Sequence, residues 1–310
     1  MSPRGIPAEP RRPRAAPVER PRPAGDRNSP EGDPDFYAAV LSELLADSTL
    51  SRGSRILVVC GGDRDHEILS SLAFDQVTIC NLDARLQHDG AERFAPYRWS
   101  YEDAEALSYE DASFDFVIVH SGLHHLRCPL KGLTEMYRVA ARGLLGFEPN
   151  RSLFTALGVK LGFGQEYETS AVFHNDCEFG GVANSPVPNF VFRFSKADVV
   201  RAIQSYAPVA RHRYRFWYAT RIPGRLYRMK RRSLGILIEL TRGLLVFLGK
   251  TLPLFANNVA FFVAKPDLPA DLFPWLTVED GAIVPDVGYL AQIYQSRESD
   301  CPGAGENEEA

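Results

Sequence analysis

Cysteine is scarce in this chain. The five residues, Cys60, Cys80, Cys128, Cys177 and Cys301, show no paired spacing, so neither a disulfide framework nor a four-ligand zinc site is expected and the thiols are read as reduced in a cytoplasmic protein. No apolar core follows the N-terminal basic residues, where a Pro/Arg-rich run is broken by Glu9, Glu19 and Asp26, which speaks against a signal peptide. A large charge excess is also missing. The net charge of -4 over 310 residues leaves no overall nucleic-acid footprint. No internal repeat is evident. What is present is a hydrophobic content of 45%, enough for a full core in one large domain or two small ones.

Residues 1–35 are dense in Pro, Arg, Gly and Ala and almost free of large apolar groups. They cannot bury enough surface to offset ordering entropy and are expected to be a disordered tail. The acidic, Gly-containing end, 296–310, is read the same way. Between the tails the expected organisation is a domain over 36–265, carrying a lid or acceptor insertion at 150–194 and a basic-apolar helical insertion at 221–256, followed by an extension over 266–295.

Within the domain, apolar runs of strand length alternate with helix-period stretches. The pattern predicts a helix at 36–45, a strand at 55–60, a helix at 65–73, a strand at 76–82, a helix over 84–93 and a short strand at 97–100. A strand at 114–120, a helix at 130–141 and a strand at 143–148 follow. Ser195 with Asp198 makes a capping-box-like start for a helix at 196–205. Strands at 211–218 and 258–264 then close the far edge. The implied fold is α/β, a doubly wound, mostly parallel sheet of seven strands with helices on both faces.

Ligands of such sheets sit beyond the carboxyl ends of the strands, which directs attention to three loops. In the first, Ile56 to Cys60 run into Gly61, Gly62 and Asp63; the glycines allow a sharp turn and close approach of a ligand, or else Asp63 or Asp65 simply caps the next helix. In the second, Asn81-Leu82-Asp83 places a carboxylate about twenty residues beyond the glycines, where such folds grip ribose hydroxyls; the plainer reading of Asp83 is a helix N-cap. The third is Asp103-Ala104-Glu105-Ala106-Leu107, followed by Asp111-Ala112-Ser113-Phe114-Asp115 and a hydrophobic strand.

That third pattern resembles the class I S-adenosylmethionine-dependent methyltransferases. The segments Ser121-Gly122-Leu123-His124-His125-Leu126, Glu135-Met136-Tyr137-Arg138-Val139 and Leu144-Leu145-Gly146-Phe147-Glu148-Pro149 are similar to later blocks of that family, in order and at its spacing. The resemblance covers about 54–150 and implies a Rossmann-like fold that binds S-adenosylmethionine. It implies that Gly61 and Gly62 face the methionine part, Asp63 is among the cofactor-binding residues, Asp83 holds the ribose, Asp103 accepts from the adenine amine, and the Ala104 backbone meets the ring edge. His120 and Ser121 would line the methionine end. The first block departs from the family pattern, because Val58, Cys60 and Arg64 stand where an acidic residue and two glycines are usual. A weakened methyltransferase-like binding or scaffold protein is therefore the alternative function.

A nicotinamide oxidoreductase shares the glycines and the carboxylate. It would bring a pyrophosphate to a turn holding Asp63, Asp65 and Glu67, which repel it; a cationic sulfonium donor is tolerated there. For a hydroxyl acceptor a base is useful, and His124, His125 and Glu148 are the candidates, against a packing role for His125 and a strand-ending role for Glu148. The neighbourhood of His124, His125 and Cys128 lacks usual ligand spacing, so no metal is expected.

The insertion at 150–194, with Tyr167, Glu168, His174, Asn175, Asp176, Gly180, Gly181 and Asn184 among aromatics, is long for a connector and reads as a lid that covers the donor and forms the acceptor pocket. Farther on, 211–232 is basic and aromatic, and 234–248 carries Glu239 and Arg242 opposite Leu237, Leu240, Leu244, Leu245 and Leu248. Docking on anionic lipid, packing on the sheet, and a homodimer interface all remain open for it. The expected acceptor is a small molecule, a glycan or a lipid-linked compound; nucleic acid is disfavoured because alternating Arg213, Arg215 and Trp217 form no groove.

Overall fold

The computed structural model describes residues 36–299, save 163, 223–232, 234–235 and 238–239. The tail at 1–35, the part of the basic stretch at 223–232 and the end at 300–310 therefore lie outside the described residues. The chain opens with α1 (Phe36–Ala46), β1 (Arg55–Val59), α2 (Asp63–Ser71) and β2 (Gln76–Asn81). It continues with the short α3 (Gly90–Arg93), then β3 (Arg98–Tyr101), β4 (Phe114–His120), α4 (Pro129–Val139) and β5 (Ala140–Pro149). The insertion contains α5 (Leu153–Lys160) and α6 (Thr169–His174), and α7 (Lys196–Tyr206) leads to β6 (Arg213–Ala219). After α8 (Arg242–Thr251) come β7 (Asn258–Ala264), a hairpin of β8 (Leu276–Glu279) and β9 (Ala282–Pro285), and α9 (Val287–Ser299).

Seven strands form one sheet in the order β3-β2-β1-β4-β5-β7-β6, parallel except that β7 runs antiparallel to both β5 and β6. The order reverses between β1 and β4, so the crevice at their carboxyl ends is the natural ligand position. Alternation along β1 divides the core between two faces. Ile56 and Val58 join Leu41 and Leu44 of α1 and Leu69 of α2 on one side, while Leu57 and Val59 join Leu133 and Met136 of α4 and Ile203 of α7 on the other. Because helices cover both faces, the central strands read as unbroken apolar runs.

The predicted strands at 114–120 and 258–264 match β4 and β7 residue for residue, and Ser195 and Asp198 do form a reciprocal capping box. The expected helix over 84–93 is instead a 3₁₀ turn, Ala84–Gln87, and the four-residue α3. Gly90 lies against the Trp99 ring so closely that a Cβ would come within 2.6 Å of it, and this contact sets where the chain turns. α9 runs on to Ser299, into the first residues of the tail expected at 296–310.

Candidate active site

The loop after β1 makes its sharp turn at Cys60, with φ 55°, rather than at a glycine. Gly62 is extended at φ −152°. Gly61 is required by space: a Cβ there would lie 2.7 Å from Ile79 Cγ2, and its N–H donates to the Cys80 carbonyl at 2.9 Å. Asp65 follows in the first turn of α2, is buried, and accepts from the Gly62 N–H at 2.9 Å. Burial pushes its carboxyl up to about 6, against the Gly62 N–H and the Tyr37 hydroxyl, which act to lower it. Burial likewise pushes the Cys60 thiol up to about 12.

A cleft of about 220 Å³ opens at the ends of β1, β2 and β4. On its walls are Cys60, Asn81, Glu102, Asp103, Ala104 and Ser121, with His125 at one side and Gly180, Gly181 and Asn184 closing it from the insertion. Asn81 ends β2 and donates from Nδ2 to the Gly61 carbonyl at 2.8 Å. Asp103 Oδ1 accepts from the Glu105 N–H at 2.9 Å.

The predicted site residues divide. Asp103, Ala104, Ser121 and His125 line the cleft; Gly61, Gly62, Asp63, Asp83, His120, His124 and Glu148 do not. Asp83 caps the 3₁₀ turn after β2 and is gripped by Arg85, whose Nε donates to Oδ1 at 2.8 Å. Burial alone would raise its carboxyl, but the Arg85 contacts outweigh it and hold it below the usual range. Asp63 pairs with Arg93, Nε to Oδ1 at 2.7 Å. His120 stacks on the Tyr37 ring, centroids 4.7 Å apart.

Behind the cleft wall lies a linked set of charges. Glu148, with no side-chain exposure, accepts from the Gly122 and Leu123 N–H groups at 2.9 and 2.8 Å and from His124 Nδ1 at 2.6 Å. On the other edge of the same ring, Nε2 is 3.3 Å from Glu168 Oε2 of the insertion. Burial opposes a charge on His124, but the two carboxylates prevail and raise it to about 9. Burial would raise Glu168, yet the two histidines carry it down to about 2. His125 is lowered by burial and by the charge of His124. Buried Asn189 donates to the His124 carbonyl at 3.0 Å and to Glu168 Oε2 at 3.3 Å.

No sequence motif gives Asn81, Glu102 or Asn189 a role of its own. Asn81 was readable in principle as the last polar residue of an apolar strand; Asn189 was not, because only the folded insertion brings it to His124. Glu168 was noted only as a member of the lid.

Residues 57–145 match the family described as Methyltransferase domain. That stretch runs from β1 into β5, holds most of the cleft and resembles a methyltransferase domain. Among solved structures, an S-adenosylmethionine-dependent methyltransferase from Thermotoga maritima is 16% identical with a TM-score of 0.43, over 74% of this chain and 93% of the other. Magnesium protoporphyrin IX methyltransferase from Synechocystis with bound SAH is 13% identical, TM-score 0.42, over 74% of this chain and 81% of the other. Phosphoethanolamine N-methyltransferase 2 of Haemonchus contortus, in complex with S-adenosyl-L-methionine, is 14% identical, TM-score 0.44, over 74% and 53%. Likenesses this low assign no acceptor. Among curated proteins none matches the chain.

Proposed function

We propose that the chain binds S-adenosylmethionine in the cleft at the ends of β1, β2 and β4 and passes its methyl group to an acceptor that enters beside His125. The observation that carries this reading is the placement of Asp103, Ala104 and Asn81 around one cleft at the point where the strand order reverses. The donor set suits an adenosine. Asp103 Oδ1 is spoken for by the Glu105 N–H, which leaves Oδ2 for the adenine amine. Asn81 uses its Nδ2 on Gly61, which leaves its amide oxygen for a ribose hydroxyl, a role in which it replaces Asp83. Three acidic residues, Glu102, Asp103 and Glu105, line the cleft and favour a cation over a phosphate.

The fit is tighter at the methionine end. The cleft, about 220 Å³, is smaller than the roughly 300–1,000 Å³ typical of ligand pockets, and the Cys60 side chain occupies room that a glycine would leave open. The bound donor supplies a methyl group on cationic sulfur. The chain's part is to exclude water and hold the acceptor in line, and His125 is the predicted catalytic residue that reaches the cleft. His124 and Glu148 sit behind it as positioning residues.

For the acceptor, one observation favours a lipid-linked compound. Leu240, Leu244 and Phe247 are 80%, 58% and 62% exposed; α8 rests against β6, and these three side chains face outward. Among the described residues no helix is long and apolar enough to cross a membrane.

Calorimetric titration with S-adenosylmethionine and its demethylated product tests the donor site. Asp103→Ala should weaken binding at least tenfold, the scale of a charge-assisted hydrogen bond of roughly 1.5–3 kcal/mol, and Asn81→Ala should weaken it by a smaller factor. Asp83→Ala should leave affinity within about threefold. Donor binding that survives Asp103→Ala undiminished overturns this assignment.

A further inference from the structure

We infer that His124, His125 and Glu168 form a binding site for one divalent transition-metal ion of the zinc class, in the wall between the cleft and the insertion. The three donor atoms all lie within 4.8 Å of one another. Glu168 Oε2 is 3.3 Å from His124 Nε2 and 3.5 Å from His125 Nε2. A tetrahedral ion with bonds of roughly 2.0–2.2 Å has ligand-to-ligand edges of roughly 3.3–3.6 Å. Both separations fall on that edge, and both are long for a charge-assisted hydrogen bond.

The surroundings complete the arrangement. Glu148 Oε2, 2.6 Å from His124 Nδ1, fixes that ring so that Nε2 faces Glu168; a carboxylate backing a ligating histidine in this manner is the usual support of a metal site. Its other oxygen is held by two backbone N–H groups, so the support is rigid. Charge balance points the same way. Glu148 and Glu168 carry two negative charges into a largely buried place, and a divalent ion with two neutral histidines cancels both. Two protonated imidazoles would cancel them as well, but with ring centroids 4.5 Å apart they would repel. The Asn189 Oδ1, on the amide that already holds Glu168, is buried without a partner among the described residues; water on the ion's remaining coordination position would give it one. Since His125 also lines the cleft, that position suits an acceptor oxygen.

The sequence alone disfavours this site, because adjacent histidines do not have ligand spacing in one element. The missing third ligand comes from Glu168, over forty residues on in the chain.

The test is titration of the metal-stripped full-length chain with Zn²⁺ in competition with a chromophoric chelator, together with melting curves with and without the ion. One ion per chain is expected, with affinity lowered at least about 100-fold in Glu168→Gln and in His125→Ala, and about 10–100-fold in Glu148→Gln. His174→Ala, an exposed histidine on α6, should bind as the parent does. Zinc should raise the melting temperature of the parent and leave that of Glu168→Gln unmoved. Parent affinity no tighter than that of Glu168→Gln, or unit stoichiometry persisting in the His125→Ala, Glu168→Gln double variant, overturns the inference. The donor titration is run on the metal-free chain, so loss of one result leaves the other standing.

Discussion

Cys60 holds a backbone conformation that L-residues with a Cβ adopt at a cost of roughly 1–2 kcal/mol. Its side chain also lines the cleft, packed so tightly against the loop after β4 that a Cβ on Gly122 would lie 2.5 Å from the Cys60 Cβ. Cys60→Gly relieves the strain and opens the cleft together. It should tighten donor binding several-fold in calorimetry while changing stability by no more than about 1 kcal/mol, because the strain relieved is offset by the freedom glycine regains when unfolded. Weaker donor binding in that variant would mean that the side chain is a contact rather than an obstruction. Asp65 gives a second prediction on the same loop. Its folded pKa, about 6, stands above the ordinary aspartate value of 3.8, so whatever stability the neutral acid contributes is complete only below that ordinary value and is lost as the pH climbs through 6. Asp65→Asn keeps an acceptor for the Gly62 N–H but cannot ionise. Relative to the parent it should gain about 2 kcal/mol between pH 4 and pH 7, read from urea unfolding at each pH; parallel curves for the two proteins would show that the Asp65 pKa is not raised by folding.

At the scale of elements, the strands were more legible than the helices. β4 and β7 are buried on both faces, so hydrophobicity alone marks their ends. α2 begins two residues before its predicted start, and 84–93 breaks into two pieces, because those limits depend on Asp83, Arg85 and the Gly90–Trp99 contact rather than on periodicity. Asp103, Ala104 and Ser121, which belong to the family-like blocks, lie together on the wall of the cleft. Asn81, the last residue of β2, and Asp83 are two positions apart, and only the folded chain shows that Arg85 holds Asp83 while Asn81 lines the cleft. Packing between β5 and β7 is a further feature that the sequence conceals. A Cβ on Gly146 would lie 2.2 Å from the Phe261 ring, which is 0% exposed and has nowhere to move. Gly146→Ala should therefore cost about 1–3 kcal/mol in chemical denaturation. A neutral result would require slack between these strands.

For the whole molecule, the chain between β6 and β7 is the segment whose role is least tied to the cleft. β6 and β7 pair directly at Ala219 and Asn258, so a tight turn would suffice to join them, yet 38 residues from Thr220 to Asn257 intervene. α8 is set down on Thr220 through Gly249, where a Cβ would overlap the threonine side chain. This leaves Leu244 and Phe247 outward, beside Leu252 and Leu254, which are 47% and 50% exposed. The sequence just before them carries Arg225, Arg228, Lys230, Arg231 and Arg232. Apolar residues joined to a basic run favour an anionic lipid surface, with roughly 1 kcal/mol for each basic residue near it. The full-length chain should therefore float with phosphatidylglycerol-containing vesicles, weakly or not at all with pure phosphatidylcholine, and less as salt rises. Leu244→Glu with Phe247→Glu should abolish flotation without changing donor affinity, since neither residue lines the cleft. Should the double variant float as the parent does, the apolar face has another occupant, and a second copy of the chain would be sought by comparing the two proteins' masses in solution.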